Sequence, residues 1–403
     1  MQLLARDANG LRFAPRTIVV YGMAAPRREF KVTAVGPGIL GLAWNSYTEE
    51  VEIGIGSRII RESWVVKHVA VVGASGAVGE RMIALLEERD FPLASIRFLA
   101  SERSAGKTIT FRGDSHPIRP LSPEAFEGVE IVLSSTPASV SRQWSPIAAR
   151  AGAVVVDNSS AFRMEPEVPL VVPEVNPADI LKHRGIIANP NCSTIQMVVA
   201  LKPLHDAARV LRVVVSTYQS VSGAGQKGIH ELEEQAAAVH RGETPPSPSK
   251  FAHPILGNCI PQIDDFLPTG YTKEEMKMVH ETRKILGDPT IDVSPTCVRV
   301  PVAFSHSESI LVETERPIAV DEARALWEQA PGITVVDDPL ARSYPLAAAA
   351  AGRDDVFVGR IRPDLGRPNA LLFWCVSDNL RKGAATNAVQ IAEKLVELAP
   401  VGV

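Results

Sequence analysis

The chain has 403 residues, 45% of them hydrophobic and 22% charged, with a net charge of −4. That is a globular composition long enough for two domains; it lacks the basic excess of a nucleic-acid binder and any apolar run long enough to span a membrane. Four scattered cysteines (Cys192, Cys259, Cys297, Cys375) with no CxxC or Cys/His cluster argue against a metal site and fit a reducing cytoplasm.

Residues 1–66 contain Gly36, Gly38, Gly41, Gly54 and Gly56, short apolar pieces and no sustained helical period. They read as a poorly ordered or loosely packed extension. Asp7 and Glu29 interrupt their arginines, and serine is sparse, which disfavours a transit peptide. From Lys67 strands and helices alternate: strand 69–72, helix 78–89, strand 96–100, a hairpin through 108–111 and 116–118, strand 129–133, helix 138–151, and strands 154–156 and 170–172. Repeated β-α-β units predict an α/β fold, a Rossmann-type, doubly wound parallel sheet. After the short apolar run Gly185–Ala188 comes a helix over 194–208. Long strands then follow at 210–221, 292–300 and 307–315, with helices at 228–240 and 272–285 between them. This is an α+β pattern. The stretch Pro245-Pro246-Ser247-Pro248 is a loop. A last helix over 379–398, with Asp378 as N-cap, needs a partner surface and is expected to return to the first domain.

Two places carry chemistry. Gly73-Ala74-Ser75-Gly76-Ala77-Val78-Gly79 follows a strand and opens a helix. Its glycines permit a tight turn and close approach to a pyrophosphate held on the helix N-terminus, against the alternative of a merely structural turn. At the end of the next strand, Glu102 would suit NAD, while Arg103, Ser104 and Lys107 favour a 2′-phosphate and hence NADP(H); a solvated surface loop is the plain alternative. The second place is Cys192, in Asn189-Pro190-Asn191-Cys192-Ser193-Thr194. A strand–turn–helix puts it where unpaired N–H groups and the helix dipole favour an anion. The thiol is therefore expected to ionise more easily than a free one and to act as nucleophile, with the same N–H groups holding an oxyanion; otherwise it is a buried structural cysteine. A nicotinamide domain followed by such a cysteine suggests thioester redox chemistry. That chemistry needs a proton carrier, for which His306, near Arg299, is the candidate unless it is a surface-strand histidine.

The blocks Gly73–Gly79, Ser101–Gly106, Asp157–Arg163, Pro173–Asn176, Pro190–Thr194, Gln219–Gly225, Glu274–Lys277, Cys297–Pro301 and His306–Glu308, taken in order, resemble the aspartate-semialdehyde dehydrogenase family from about Lys67 to near the C-terminus. The resemblance implies an NADP-binding domain over 67–191, joined by the helix 379–398, and a catalytic and dimerisation domain over 192–378 in a homodimer or homotetramer. It implies Cys192 as nucleophile, His306 as acid/base and Gln219 orienting the intermediate. Arg299 would take the substrate α-carboxylate and Glu274 its ammonium, while Arg163, Lys277 and Asn191 take phosphate. Ser222, Gly223 and Asn379 would join Gly73, Ser75, Gly76, Ala77, Val78, Gly79, Arg103 and Ser104 around the cofactor. The expected reaction is reversible NADPH-dependent reduction of aspartyl 4-phosphate to the semialdehyde, in the cytoplasm. N-acetyl-glutamyl-phosphate reductase, a glyceraldehyde-phosphate-type dehydrogenase and a non-catalytic NADP-binding homologue are the competing readings.

Overall fold

The computed structural model describes residues 16–21, 29–34, 39–45, 50–55, 58–63 and 67–398. The five N-terminal pieces are strands. β1 (Arg16–Tyr21) and β2 (Glu29–Ala34) pair antiparallel, and β3 (Ile39–Asn45), β4 (Glu50–Ile55) and β5 (Arg58–Ser63) form a meander. The two-residue alternation of Glu50-Val51-Glu52-Ile53 is the strand period behind β4. These strands and residues 67–399 are separate compact units.

In the larger unit, alternation along β6 (Lys67–Val72) sends Val69 and Val71 to one apolar cluster and Ala70 and Val72 to another. A strand buried on both faces is the mark of a central parallel strand covered by helices. Helix α1 (Ala77–Glu88) follows, then β7 (Leu93–Ala100), β8 (Thr108–Phe111), β9 (Asp114–Pro120), β10 (Ile131–Ser134), α2 (Ala138–Arg150), β11 (Val154–Asp157) and β12 (Ile186–Ala188). The sheet order is β12-β11-β10-β6-β7-β9-β8, parallel except for the β8/β9 hairpin. The predicted strand 170–172 is a correction. Only Leu170 bridges, to Ala188, because Pro169 and Pro173 bracket the segment and cannot donate to a ladder.

Helix α3 (Cys192–Ala208) carries the chain to the second sheet. Residues 193–201 are buried throughout, as expected of a helix hydrophobic all round. After it come β13 (Val210–Gln219), α4 (Gln226–His240), α5 (Lys273–Leu286), β14 (Asp292–Arg299), β15 (His306–Thr314), α6 (Val320–Gln329), β16 (Ile333–Val335), the single turn α7 (Ala347–Ala350), β17 (Val356–Pro363) and β18 (Ala370–Ser377). The order is β14-β13-β15-β18-β17-β16. One face packs on α3, α5 and α6 through Ile195, Met278 and Trp327. The final segment is two elements rather than one helix: a π-helical turn over Arg381–Ala385, then α8 (Thr386–Leu398). Asp378 Oδ1 accepts from the N–H groups of Leu380 and Arg381 at the start of this turn, whose N-cap position is Leu380 rather than the expected Asp378. Ala388, Val389 and Ile391 then join the first sheet's core, so the chain end does return there. Among the described residues no helix is long and apolar enough to cross a membrane.

Candidate active site

Three strand ends meet at one edge of the second sheet. β13 and β14 run parallel, with Gln219 beside Arg299 as their last residues. β15 runs back antiparallel, with Tyr218 facing Ser307, so its first residue, His306, lies at the same edge. A cavity of about 930 Å³ opens there. Cys192, Gln219, Arg299, Glu274, Lys277, Arg163, Asn191, Ser222, Gly223 and Asn379 line it, together with Gly76, Ala77 and Val78 from the first sheet. His306 lies behind this wall, fully buried.

Cys192 is the first residue of α3, as the strand–turn–helix pattern predicted. Asn191 is the N-cap: its Oδ1 accepts from Ser193 N–H (3.1 Å) and Thr194 N–H (3.3 Å). The expected easy ionisation is overturned. Burial, and next the Glu274 carboxylate, push the Cys192 thiol up to about 12, against the pull of Arg299, Arg163 and the Ser193 N–H. The dipole of one helix end is a smaller effect than desolvation beside a carboxylate. The chain also packs closely against this residue. A Cβ on Gly383 would stand 3.0 Å from the Cys192 Cβ, so the π-turn passes close against Cys192, as such turns often do at functional sites.

The neighbouring charges are paired. Glu274 Oε1 accepts from Asn191 Nδ2 (2.8 Å) and Gln219 Nε2 (3.4 Å), and its Oε2 meets Lys277 Nζ at 3.0 Å. Lys277 also reaches Asp264 (3.0 Å). Against its burial, Lys277, then the Asn191 amide and the charge of Arg299, hold the Glu274 carboxyl below its ordinary value. Arg163 is no surface ion pair. It is buried, bonded to Glu281 (3.0 Å) and to the carbonyls of Asn189 and Asn158. Asn191 spends its amide on the cap and on Glu274, which makes it a framework group. Arg299 differs from these: Nη1 donates to the Ser220 carbonyl (2.6 Å), while Nε and Nη2 have no partner among the described residues. That free edge is the bidentate face of a guanidinium.

His306 Nδ1 accepts from Ser220 N–H at 3.1 Å. Its proton therefore sits on Nε2, which is buried without a partner. Burial, then the charge of Arg299, push His306 down to about 3, so the resting ring is neutral. The preceding Ser305 takes φ 72°, a costly conformation for serine. It is held by Asn379 Oδ1, which accepts from Ser305 N–H (2.9 Å) and from the Ser220 and Ser222 hydroxyls. Asn379 thus joins the cofactor-side residues to the histidine.

The glycine loop fits a dinucleotide. Gly73 has φ 83°, and a Cβ there would stand 2.2 Å from the Ser135 carbonyl; on Gly79 it would stand 2.1 Å from the Gly73 carbonyl. Backbone this crowded leaves its N–H groups as the recognition surface. Ser75 Oγ lies 3.1 Å from Ser104 Oγ, joining the loop to the short turn Glu102–Ser104 that carries an exposed Arg103. Ser135-Thr136-Pro137, Lys250, Phe251, Gln262 and Gly383 also line the cavity and were not read from the sequence. The one available signal was Pro137, which follows a strand and opens a helix.

A nucleotide loop and a helix-start thiol facing one cavity define a dehydrogenase. The semialdehyde dehydrogenase NAD binding domain matches residues 68–183, and the semialdehyde dehydrogenase dimerisation domain matches 201–382. The aspartate-semialdehyde dehydrogenase of Aquifex aeolicus is 55% identical, covering 82% of this chain and 98% of its own. The crystal structure of aspartate semialdehyde dehydrogenase II from Vibrio cholerae, complexed with ASA, is 50% identical, covers 83% and 99%, and superposes with a TM-score of 0.81. The aspartate semialdehyde dehydrogenase of Candida albicans, solved with NADP, is 28% identical over 82% and 98%, with a TM-score of 0.64. The chain belongs to the aspartate-semialdehyde dehydrogenase family.

Proposed function

We propose that the protein interconverts aspartyl 4-phosphate and aspartate 4-semialdehyde with NADP(H), through a thioester on Cys192, in aspartate-family amino-acid biosynthesis. The observation that carries this reading is the placement of the Cys192 thiol and the unpaired Nε/Nη2 edge of Arg299 in one cavity with Gly76–Val78. Arg299 receives the substrate α-carboxylate through that edge. Glu274 receives the ammonium, which relieves the negative charge that disfavours the Cys192 thiolate. The thiolate attacks the acyl carbon and the C–O bond to phosphate breaks; Lys277 and Arg163 balance the departing charge. When bound, the reduced nicotinamide supplies a hydride to the thioester carbon. His306 steadies the oxygen bearing negative charge through a hydrogen bond from the Nε2–H of its neutral ring, and Gln219 holds that oxygen's carbon skeleton in place. As the C–S bond breaks, aldehyde leaves and Cys192 returns as thiolate.

Gly73, Ser75, Gly76, Ala77, Val78 and Gly79 are assigned to the pyrophosphate, Arg103 and Ser104 to the 2′-phosphate of NADP. Ser222, Gly223 and Asn379 border the nicotinamide. The domain division is 67–191 with α8, and 192–378 as the catalytic part, through which a cytoplasmic homodimer forms; the match to a dimerisation domain supports that assembly. The test is phosphate-dependent NADP reduction with three aldehydes: aspartate semialdehyde, N-acetylglutamate semialdehyde and glyceraldehyde phosphate. Turnover with the first alone supports the reading. Turnover only with another aldehyde, or NADP binding without turnover, overturns it.

A further inference from the structure

The loop after α4 carries three cavity-lining residues, Lys250, Phe251 and Ala252, yet residues 244–253 make no backbone–backbone hydrogen bond. A Pro-rich segment with so little ladder support depends on side chains for its position. One buried carboxylate supplies that support. Glu231 Oε2, on α4, accepts from Ser249 N–H (2.8 Å), Ser249 Oγ (3.1 Å) and Lys250 N–H (2.6 Å). Glu231 is only 4% exposed, and those donors all come from one short piece of chain. The next residue, Phe251, turns its ring toward Arg299, with the guanidinium carbon 5.9 Å from the ring centroid. The guanidinium is also hemmed by Gly223, where a Cβ would stand 2.9 Å from Nη1.

We infer that Glu231 is a positioning residue for substrate recognition: it anchors Ser249 and Lys250 so that Phe251 covers the Arg299 guanidinium and presents its Nε/Nη2 edge to a carboxylate-bearing aldehyde. The inference rests on the assignment of Arg299 to the substrate carboxylate. An aromatic face on the cation excludes water from one side, strengthens its interaction with an anion and limits its rotation. Selectivity for a charged substrate is then built partly on α4, remote from the reacting carbon.

The experiment is steady-state kinetics in the phosphorylating direction. Phe251→Leu and Glu231→Gln should each raise KM for aspartate semialdehyde about tenfold, with kcat within about threefold and KM for NADP within about twofold. Because both act through one contact, the double variant should be no worse than the poorer single variant. Ser249→Ala, which removes one of the three donors, should raise the same KM about twofold and keeps the anchor testable if Glu231→Gln does not fold. An unchanged KM in Phe251→Leu, multiplying effects in the double variant, or a parallel fall of kcat and NADP affinity overturns the inference. Arg299→Leu separates the two claims. If its KM is unchanged, the carboxylate assignment itself fails; if its KM rises while those of Phe251→Leu and Ser249→Ala do not, only the anchor fails.

Discussion

The two sheets end in opposite kinds of chemistry. At the first, recognition is built from backbone: Gly73 and Gly79 are so crowded that no side chain fits, and helix α1 opens onto the cavity through Gly76–Val78. At the second, the edge is a set of buried charged and titratable side chains, Glu274, Arg299 and His306 among them, held by Asn191 before α3, by Lys277 on α5 and by the backbone of Ser220 just after β13. The first kind of site has no titratable side chain in its glycine loop. The second is electrically balanced at rest, with Cys192 and His306 both pushed away from their charged forms. Cofactor binding and chemistry should therefore separate cleanly under mutation.

The largest break is Cys192→Ser. Turnover should fall by about 10⁴-fold or more, since no neighbouring nucleophile substitutes, while NADP affinity measured by fluorescence stays within about twofold. Surviving turnover would remove the thioester from the mechanism. Next is Arg299→Leu, which on the proposed assignment leaves a substrate carboxylate without its partner in a buried site. KM for the semialdehyde should rise by about 10² to 10³-fold, again with NADP affinity intact. On the other side of the comparison, Gly79→Ala drives a methyl group into the Gly73 carbonyl. It should cost about 3 kcal/mol of stability by thermal denaturation and weaken NADP about thirtyfold by titration. Arg103→Ala should be milder, lowering the NADP-over-NAD ratio of kcat/KM by about tenfold; an unchanged ratio would move the 2′-phosphate contact elsewhere.

The same contrast explains what could be read from the residues alone. A glycine loop is local: its spacing, flanking strand and helix lie within a dozen positions, so Gly73–Gly79 was legible. Cys192 was legible as a helix-start residue for the same reason. Its acidity was not, because the carboxylate that opposes ionisation sits 83 positions beyond Asn191, on α5. Strand β18 was missed because Ala370–Ser377 is largely buried on both faces and shows no alternation. Lys250 and Phe251 carry no local mark at all, since a Pro-rich loop acquires its place only through Glu231.

The smallest effect tests the balance itself. Glu274 raises the Cys192 thiol toward about 12, second only to burial. Removing that charge stabilises the thiolate, so Glu274→Gln should alkylate faster at Cys192 with iodoacetamide, by roughly fivefold at pH 8, as read by mass spectrometry of the Cys192 peptide apart from exposed Cys259. In the parent enzyme the rate should climb about tenfold per pH unit from pH 8 to 10 without a plateau, because the thiol remains mostly protonated throughout. The same shift has a stability consequence with a fixed sign. A thiol whose folded value lies above its unfolded value adds stability below the unfolded value, 9.0, and loses it as pH rises toward about 12. Alkaline unfolding should therefore begin at higher pH in Cys192→Ser than in the parent. On the proposed assignment of Glu274 to the substrate ammonium, semialdehyde turnover in Glu274→Gln should nevertheless fall. A thiol that reacts faster in an enzyme that turns over more slowly would place Glu274 as a substrate-relieved brake on the nucleophile; equal alkylation rates would show that burial alone sets its acidity.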